Sequence, residues 1–443
     1  MAGADAAEQP PRAAVTIVNR DDLQRSRWTV GFRLILAIPL LIWLVLWTLA
    51  AIVLAPVLWI ATLVQRRPPR GLHDFYAAYV RFGVHLYAYV GLAANPYPGF
   101  LGTPSSYPVD PVLPEQPIEQ DRWSIAFRLL LALPPLVLAA ALTGGGGGGG
   151  GTTGSDNWSV AANGAGVLTT VAVLAWFAIL ARGRMPTGFE ALQTYALGYA
   201  AQVNAYLFLL TDRYPDSHPT GAAPQRALPP HPIALTLSDD PRRNRLTVAF
   251  RLLLALPHIV WITLWAIVAA FVAIVTWFAA LITGRPPAAL HAFLARFVRY
   301  SVHLGAFVYV AGGPFPGFLG EPGYPVDVEI GPPAEQSRWV TAFRLILAIP
   351  AFLVGSAVGG AALLAAVGAW FAALFTGRVP LGVRALIAYS LRYSAQTSGY
   401  LLLLTERYPY SAPGPVDREP APEPAPEPEP PTPAAPLTGP GVA

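Results

Sequence analysis

The chain contains no cysteine and no lysine, and charged residues of either sign are few. The absence of cysteine excludes disulfides, thiolate nucleophiles and cysteine-ligated metal or iron–sulfur sites. Charged residues occupy 12% of the 443 positions, about half the share of an ordinary soluble protein, whereas apolar residues occupy 54%. A soluble domain cannot bury that much apolar surface, so the composition indicates a membrane protein.

Recognisable catalytic motifs are also absent. There is no serine–histidine–acid arrangement and no paired acids, and the glycine run at 144–151 lacks the Lys-Ser/Thr of a phosphate-binding loop. Asp74 and Glu190 are the carboxylates closest to the apolar segments, and both lie near segment ends, which argues against a proton pump. We therefore predict that the chain is not an enzyme and needs no cofactor.

The histidines are the first candidates for metal ligands, but their spacing does not favour a site. His73 and His85 lie twelve residues apart in one predicted helix. They are therefore separated by about three turns and cannot bind one ion together. A site would require His85 and His303 to meet between the two halves of the chain. We predict hydrogen-bonded histidines and no metal.

Three apolar runs are long enough to cross a bilayer. Residues 34–65, 252–284 and 345–377 carry no formal charge, and roughly 18–20 apolar residues suffice for a crossing. The polar N-terminus lacks the features of a secretory signal, so we expect the first run to direct insertion. These features predict a multi-pass integral protein of the cell membrane.

One unit recurs four times along the chain. The block Phe-Arg-Leu-x-Leu-Ala-x-Pro begins at Phe32, Phe127, Phe250 and Phe343. Units one and three match each other most closely, as do units two and four, which indicates that a pair of units was duplicated. The predicted boundaries are a polar segment 1–24, unit one 25–110, unit two 111–216 with a glycine-rich insertion at 144–166, a linker 217–242, unit three 243–327, unit four 328–410, and a disordered Pro/Glu-rich tail 411–443.

Each unit is predicted to be all-α, with a long apolar segment followed by an amphipathic helix. The first run of thirty-two residues would form a helix about 48 Å long, against a hydrocarbon core of roughly 30 Å. It is therefore either a helical hairpin or a single tilted span with an interfacial start. Arginines at both ends of the run and the glycine insertion in unit two favour the hairpin.

Short stretches with alternating apolar residues lie outside the apolar runs. They occur at 15–18, 107–109, 233–237 and 326–330. Period-two alternation with β-branched residues predicts short strands outside the membrane, either paired with one another or left as extended linkers.

Arginine recurs in two sets at the boundaries of the apolar segments, and we predict that both sets contact anionic lipid headgroups. The first set is Arg33, Arg128, Arg251 and Arg344, and the second is Arg67, Arg184, Arg285 and Arg378. A polar stripe also repeats on the amphipathic helices of units one and three. Its members are Arg81, His85, Arg299 and His303, and it would face either headgroups or the inside of a helical bundle.

Three sequence features together resemble a known family. They are the Phe-Arg-Leu-x-Leu-Ala-x-Pro block, the stretch Trp-Phe-x-x-Leu-x-x-Gly-Arg-x-Pro, and the Tyr-Pro-Val that leads into the next unit. The chain is similar in these features to the bacterial integral-membrane family called domain of unknown function 4389, over most of residues 25–410. The resemblance implies four tandem multi-pass membrane domains and carries no established activity. The insertion in unit two departs from the pattern.

Two functions from different classes are compatible with these features. The first is a non-enzymatic membrane-organising or scaffold role, with membrane lipids as partners and the Pro-rich tail available to a protein partner. The second is a transporter or channel-like bundle whose Arg/His stripes face inward. The net charge of only +4 and the arginines beside apolar runs favour lipid over nucleic acid as the partner.

Overall fold

The computed structural model of the chain describes residues 15–144, 166–219, 229–238 and 240–414. Within these ranges the protein contains eleven helices and four short strands, so it is mostly α-helical, as predicted. Most of the glycine-rich insertion in unit two and the Pro/Glu-rich tail after residue 414 lie outside the described residues.

The helices and strands follow the repeat. β1 (Thr16–Asn19) precedes unit one, which contains α1 (Arg27–Gln65) and α2 (Arg70–Val90) and ends in β2 (Val109–Val112), a strand that extends past the predicted boundary at 110. Unit two contains α3 (Arg122–Ala126), α4 (Arg128–Thr143), α5 (Val167–Arg182) and α6 (Thr187–Leu207). β3 (Ile233–Leu237) lies in the linker before unit three, which contains α7 (Arg245–Ala249), α8 (Arg251–Thr283) and α9 (Ala288–Val308) and ends in β4 (Val326–Ile330), a strand that extends past the predicted boundary at 327. Unit four contains α10 (Arg338–Thr376) and α11 (Leu381–Leu401).

A tight turn joins the long helix of each unit to its shorter helix. In units two to four the long helix ends at a glycine with positive φ, because glycine adopts this conformation without steric cost. These residues are Gly183 (φ 70°), Gly284 (φ 78°) and Gly377 (φ 75°). A proline three residues later forms the N-cap of the shorter helix, at Pro186, Pro287 and Pro380. The repeated sequence Gly-Arg-x-Pro therefore encodes the turn.

The predicted helical hairpin is wrong. α1 and α10 are continuous helices of 39 residues, and α8 is continuous over 33 residues. At 1.5 Å per residue, α1 is about 58 Å long. The cluster of glycines at 355–360 lies inside α10, where every residue is helical. A continuous helix satisfies its own backbone hydrogen bonds, whereas a turn at this point would leave several without partners.

The long helix of unit two is interrupted, but its two parts lie end to end. The indole Nε1 of Trp59 donates to the carbonyl oxygen of Ile125 at 2.8 Å, and that of Trp176 donates to Val30 at 3.3 Å. Val30 and Trp59 are separated by about 43 Å along α1. Ile125 and Trp176 must therefore lie at opposite ends of the unit, whereas a hairpin with legs of 16 residues would bring them together.

The same tryptophan contacts show how the units are paired. In units three and four, Trp277 donates to Thr341 at 2.7 Å and Trp370 donates to Val248 at 2.8 Å. In each pair, the end of one long helix therefore contacts the start of the other. The two long helices of a pair are antiparallel, and each shorter helix packs on its own long helix and on the shorter helix of the paired unit.

The helices and strands form three layers. The long helices make the first layer, the shorter helices α2, α6, α9 and α11 pack on it, and the strands pack on the shorter helices. β1 pairs with β2 and β3 pairs with β4, both antiparallel. Of the two alternatives left open by the sequence, the structure therefore shows paired strands and not extended linkers, although β2 overlaps the predicted stretch 107–109 only at Val109.

Units two and four form the centre of the protein, because α10 packs against both α4 and α5. Its buried face carries Ala357, Ala361 and Ala365, and small side chains allow helices to approach closely. α1 and α8 lie on the outside. Only 17% of the most apolar stretch of α1 and 11% of that of α8 is buried, compared with 39% for α10.

The first layer therefore presents a wide apolar surface. Leu34, Val53, Phe271 and Ile282 are among its side chains that are 67% exposed or more. Monomeric soluble proteins rarely expose contiguous apolar patches of such extent. Among the described residues, α1, α8 and α10 are the helices long and apolar enough to cross a membrane.

Candidate lipid-contact surface and its polar clusters

The first set of boundary arginines does not reach the protein surface. Arg33, Arg128, Arg251 and Arg344 are each only 1–2% exposed. Each guanidinium lies over an aromatic ring, with its central carbon 4.0–4.7 Å from the ring centroid. The rings belong to Tyr89, Tyr206, Phe307 and Tyr400, respectively. The expectation that this set contacts lipid headgroups is therefore corrected.

Arg33 shows what these arginines do instead. Its Nη1 donates to the carbonyl oxygens of Tyr89 and Ala94, both at 2.9 Å. The carbonyl of Tyr89 lies in the last turn of α2, where helical oxygens lack intrahelical partners and carry the negative end of the helix dipole, and that of Ala94 lies in the chain just after the helix. Arg251 and Arg344 likewise donate to last-turn carbonyl oxygens of their shorter helices, whereas Arg128 donates to the carbonyl oxygen of Thr211, beyond the end of α6. In units one, three and four the aromatic residue follows the arginine by 56 positions, a regularity that the sequence contains and that our prediction did not use.

The second set of boundary arginines is exposed. Arg67, Arg184, Arg285 and Arg378 lie in the turns that follow the long helices, at the ends of the first layer. Arg67 is 3.4 Å from Glu119 and Arg285 is 3.2 Å from Glu335, and all four of these side chains are more than half exposed. Exposed ion pairs of this kind contribute little to stability. These arginines are free to reorient toward phosphate groups.

The polar stripe forms two separate clusters, one in unit one and one in unit three. His85 Nε2 lies 2.6 Å from Asp110 Oδ1, and Arg81 Nε lies 3.5 Å from the same oxygen. His303 and Arg299 lie 2.9 Å and 3.2 Å from Asp327 Oδ1. Each cluster ties a short helix to a strand on the side away from the long helices, so the contacts of the stripe do not favour a channel lining.

The two aspartates were not among the predicted site residues. Asp110 lies in β2 and Asp327 in β4. Both end a Tyr-Pro-Val-Asp sequence, at 107–110 and 324–327, and this repetition could have identified them. In units two and four, glutamine replaces the histidine of the stripe. Gln202 and Gln396 accept backbone hydrogen bonds from Asp216 and Tyr410, so they perform the same tethering without charge.

The environment of Asp327 lowers the pKa of its carboxyl group below the usual value. Burial alone would raise this pKa, because it disfavours the charged form. Hydrogen bonds from His303 and from the backbone amides of Gly323 and Val328 favour the carboxylate and outweigh burial. The aspartate is therefore ionised at neutral pH and holds the cluster together.

The histidines considered as metal ligands, and His291, which is the counterpart of His73 in unit three, lie apart from one another. His73 Nδ1 lies 3.4 Å from Asp74, and His291 Nε2 lies 3.4 Å from the carbonyl oxygen of Leu404. His85 and His303 each contact their own aspartate. Within the part of the chain that the structure describes, no three His, Cys, Asp or Glu side chains form a group suited to a metal ion.

Charged groups lie beside the middle of the outer helices as well as at their ends. The exposed Arg296 lines a groove of about 600 Å³ together with Leu264 and Val268, which lie near the midpoint of α8. In unit one, the side chain of Asp74 is 60% exposed. Two residues later, Tyr76 donates to the carbonyl oxygen of Ala51 in the middle of α1 at 2.6 Å.

Irregular loops also run beside the outer helices. The indole Nε1 of Trp43 donates to the carbonyl oxygen of Phe100 at 2.8 Å, and that of Trp261 donates to Phe318 at 2.8 Å. Both tryptophans lie well inside their helices, and both acceptors belong to loops that follow the shorter helices. Non-helical backbone therefore contacts α1 and α8 well inside these helices, and Arg296 shares a groove with the middle of α8.

Comparison of the chain with known protein families identifies the family to which it belongs. The family described as Domain of unknown function (DUF4389) matches four segments, 27–102, 158–217, 245–318 and 338–412, which together exceed half of the chain. The second segment begins inside the insertion and leaves α3 and α4 unmatched, since the insertion separates them from the rest of their unit. Comparison with curated proteins and with solved structures gives no match.

Proposed function

Because the chain belongs to the DUF4389 family, whose description assigns no activity, we propose its function from its geometry. The protein is a non-enzymatic membrane-organising protein that embeds its layer of long helices in one leaflet. The shorter helices and the strands stay on the water side of this layer. The single observation that carries the proposal is the exposed Arg296 beside the middle of α8.

The cost of charge in a bilayer is the reason why Arg296 matters. If α8 crossed the membrane symmetrically, Arg296 would lie near the bilayer centre, where an exposed arginine costs roughly 2.5–3.5 kcal/mol or more. Asp74, beside the middle of α1, would add a similar cost. If the helices instead lie along the membrane plane, both side chains reach the headgroup region. Residues 34–65 of α1 and 252–283 of α8 carry no Asp, Glu or Arg side chain that would oppose this arrangement.

Helix length and loop position support the same orientation. α1 is about 58 Å long, almost twice the thickness of the hydrocarbon core, so a crossing would require a steep tilt. The loop that contains Phe100 would lie inside that core without a full set of backbone partners, which bilayers do not tolerate. In the plane of one leaflet, the exposed Phe100 and Leu101 dip toward the acyl chains while the loop backbone stays at the interface.

The exposed arginines supply the contacts with anionic lipid. Arg67, Arg184, Arg285 and Arg378 lie at the ends of the long helices, at the rim of the apolar surface. Each basic side chain close to an anionic membrane contributes about 1 kcal/mol. Four long helices in one leaflet increase the area of that leaflet alone, which bends the membrane. This is the sense in which we propose that the protein organises membranes.

Cysteine labelling tests the orientation and separates it from a multi-pass arrangement. The chain has no native cysteine, so S26C and G71C place single probes at exposed positions before and after α1. A water-soluble maleimide added to intact cells or sealed vesicles should label both positions or neither, because both ends of α1 lie on one side. Labelling of one position and protection of the other would show that α1 crosses the membrane.

A probe in the middle of α1 supplies the control. Val53 is 72% exposed on the apolar surface. V53C should react with a lipid-soluble maleimide and resist the water-soluble one, even in open membranes. Ready reaction of V53C with the water-soluble reagent would show that the long helices do not contact lipid.

A further inference from the structure

The groove in unit three contains one unpaired positive and one unpaired negative side chain. Arg296 and Glu321 both line it, both are exposed, and neither has a hydrogen-bond or ion-pair partner among the described residues. The neighbouring Arg299 is already paired with Asp327 at 3.2 Å. Arg296 is therefore the guanidinium in this groove that is left to bind a ligand.

A glycine holds Glu321 beside Arg296. Gly320 has a φ of 63°, and a Cβ atom at this position would collide with the carbonyl oxygen of Arg296. The loop thus rests directly on the backbone of α9, and the next residue in the chain is Glu321. Backbone packing, rather than a contact between the two side chains, therefore places Glu321 close to Arg296 in the groove.

The other wall of the groove is apolar and open to the lipid side. It is formed by α8, where Trp261 is 39% exposed, Leu264 is 54% exposed and Val268 is 50% exposed. The volume of about 600 Å³ is in the usual range for a binding site of a small molecule. The two charged side chains of the groove therefore suit a dipolar headgroup, and its apolar wall suits an acyl chain.

We infer that this groove binds one phosphatidylethanolamine molecule. Arg296 donates to the phosphate, and the primary ammonium donates to the Glu321 carboxylate, so that both unpaired side chains are satisfied by charge-assisted hydrogen bonds. A purely anionic lipid would satisfy Arg296 and be repelled by Glu321. A choline headgroup has no N–H with which to reach the carboxylate.

Unit one provides a matched comparison within the same chain. Its loop packs on α2 in the same way as the loop of unit three packs on α9. Gly102 has a φ of 58°, and a Cβ atom at this position would collide with the carbonyl oxygen of Ala78. Its equivalents of Arg296 and Glu321 are Ala78 and Thr103. We therefore expect one phosphatidylethanolamine site per chain, in unit three.

Native mass spectrometry of the full chain in detergent micelles tests this inference, with phosphatidylethanolamine and phosphatidylglycerol added in equal amounts. The unmodified protein should retain one phosphatidylethanolamine with about tenfold preference, the value of one charge-assisted hydrogen bond. R296A should lose binding of both lipids. E321T should keep binding and lose the preference. Equal binding of the two lipids by the unmodified protein, or undiminished binding by R296A, would overturn the inference.

A variant that gains a second site provides a control, because misfolding can remove lipid binding but cannot add it. The double variant A78R/T103E copies both charges into unit one, and we expect it to retain two phosphatidylethanolamine molecules instead of one. Retention of a single lipid by the folded double variant would overturn the assignment to these two side chains.

The inference rests on the proposed function only in that the groove faces lipid. Because micelles impose no orientation on α8, the lipid count is independent of the labelling of α1. Labelling on opposite sides together with an Arg296-dependent lipid would overturn the proposed function alone. Labelling on one side with no Arg296-dependent lipid would overturn this inference alone.

Discussion

Arg33 lies over the ring of Tyr89, 4.4 Å from its centroid, and donates to the backbone carbonyl of the same residue at 2.9 Å. The aromatic residue thus holds the guanidinium by both its ring and its backbone. Arg251 makes the same double contact with Phe307, and Arg344 makes it with Tyr400. The contact joins the start of each long helix to the end of its shorter helix.

Replacement of Arg33 by lysine should destabilise the protein by about 2–4 kcal/mol, because an ammonium cannot reproduce the planar fork and leaves buried carbonyls unpaired. Thermal unfolding in detergent, followed by tryptophan fluorescence, measures the change. Arg67→Lys is the control, since its side chain is 63% exposed, and it should leave the transition unchanged. Equal stability of the Arg33→Lys and unmodified proteins would contradict the capping role.

Replacement of Gly320 by alanine should also destabilise the protein, by about 1–3 kcal/mol, because the new methyl group meets the carbonyl oxygen of Arg296 at a positive φ. Gly317→Ala in the same loop is the matched control. It meets nothing within 4 Å and has no positive φ. If the two variants unfold at the same temperature, the loop does not rest on α9 as described.

The pH dependence of stability should include a contribution from Asp327. Its pKa lies below the usual 3.8 in the folded protein, so the folded state binds this proton less readily than the unfolded state. The contribution is therefore complete above about pH 5 and is lost as the pH falls through the lowered pKa.

Asp327→Asn isolates this contribution in thermal unfolding recorded between pH 3 and pH 7. The variant should be less stable at neutral pH by about 1–3 kcal/mol, because His303 and Arg299 lose a charged acceptor. It should also show a shallower loss of stability in acid. Glu335→Gln, at an 84% exposed side chain, should reproduce the unmodified profile. A variant as acid-sensitive as the unmodified protein would exclude this role of Asp327.

Membrane preference should depend on the second arginine set and not on arginine in general. Joint replacement of Arg67, Arg184, Arg285 and Arg378 by glutamine should remove most of the preference for vesicles that contain phosphatidylglycerol, at about 1 kcal/mol per side chain. Added salt should weaken the same preference in the unmodified protein. Arg20→Gln is the control, since Arg20 is exposed beside β1 in the strand layer. Unchanged vesicle preference in the fourfold variant would exclude these arginines as the lipid contacts.

Local features of the chain were predictable because neighbouring residues determine them. The apolar runs, the Gly-Arg-x-Pro turns and the alternating strand β4 each depend on backbone preferences within a few residues. The hairpin was mispredicted because glycines in a long apolar run are compatible with either a turn or a packed helix. What decides between them is a contact from another unit, such as that of Trp176 with Val30, which spans 146 residues.

The sequence alone determined that this is a largely helical, apolar chain with one unit recurring four times, because composition and repetition need no knowledge of packing. Only the tertiary structure decided which arginines are buried and which are exposed. Arg33 and Arg67 both stand at the boundary of one apolar run, and nothing local distinguishes them. Arg33 meets the end of α2 when that helix folds back along α1, whereas Arg67 lies in the turn outside this contact. Whether each guanidinium group is buried or exposed was therefore set by helix packing between residues more than fifty positions apart.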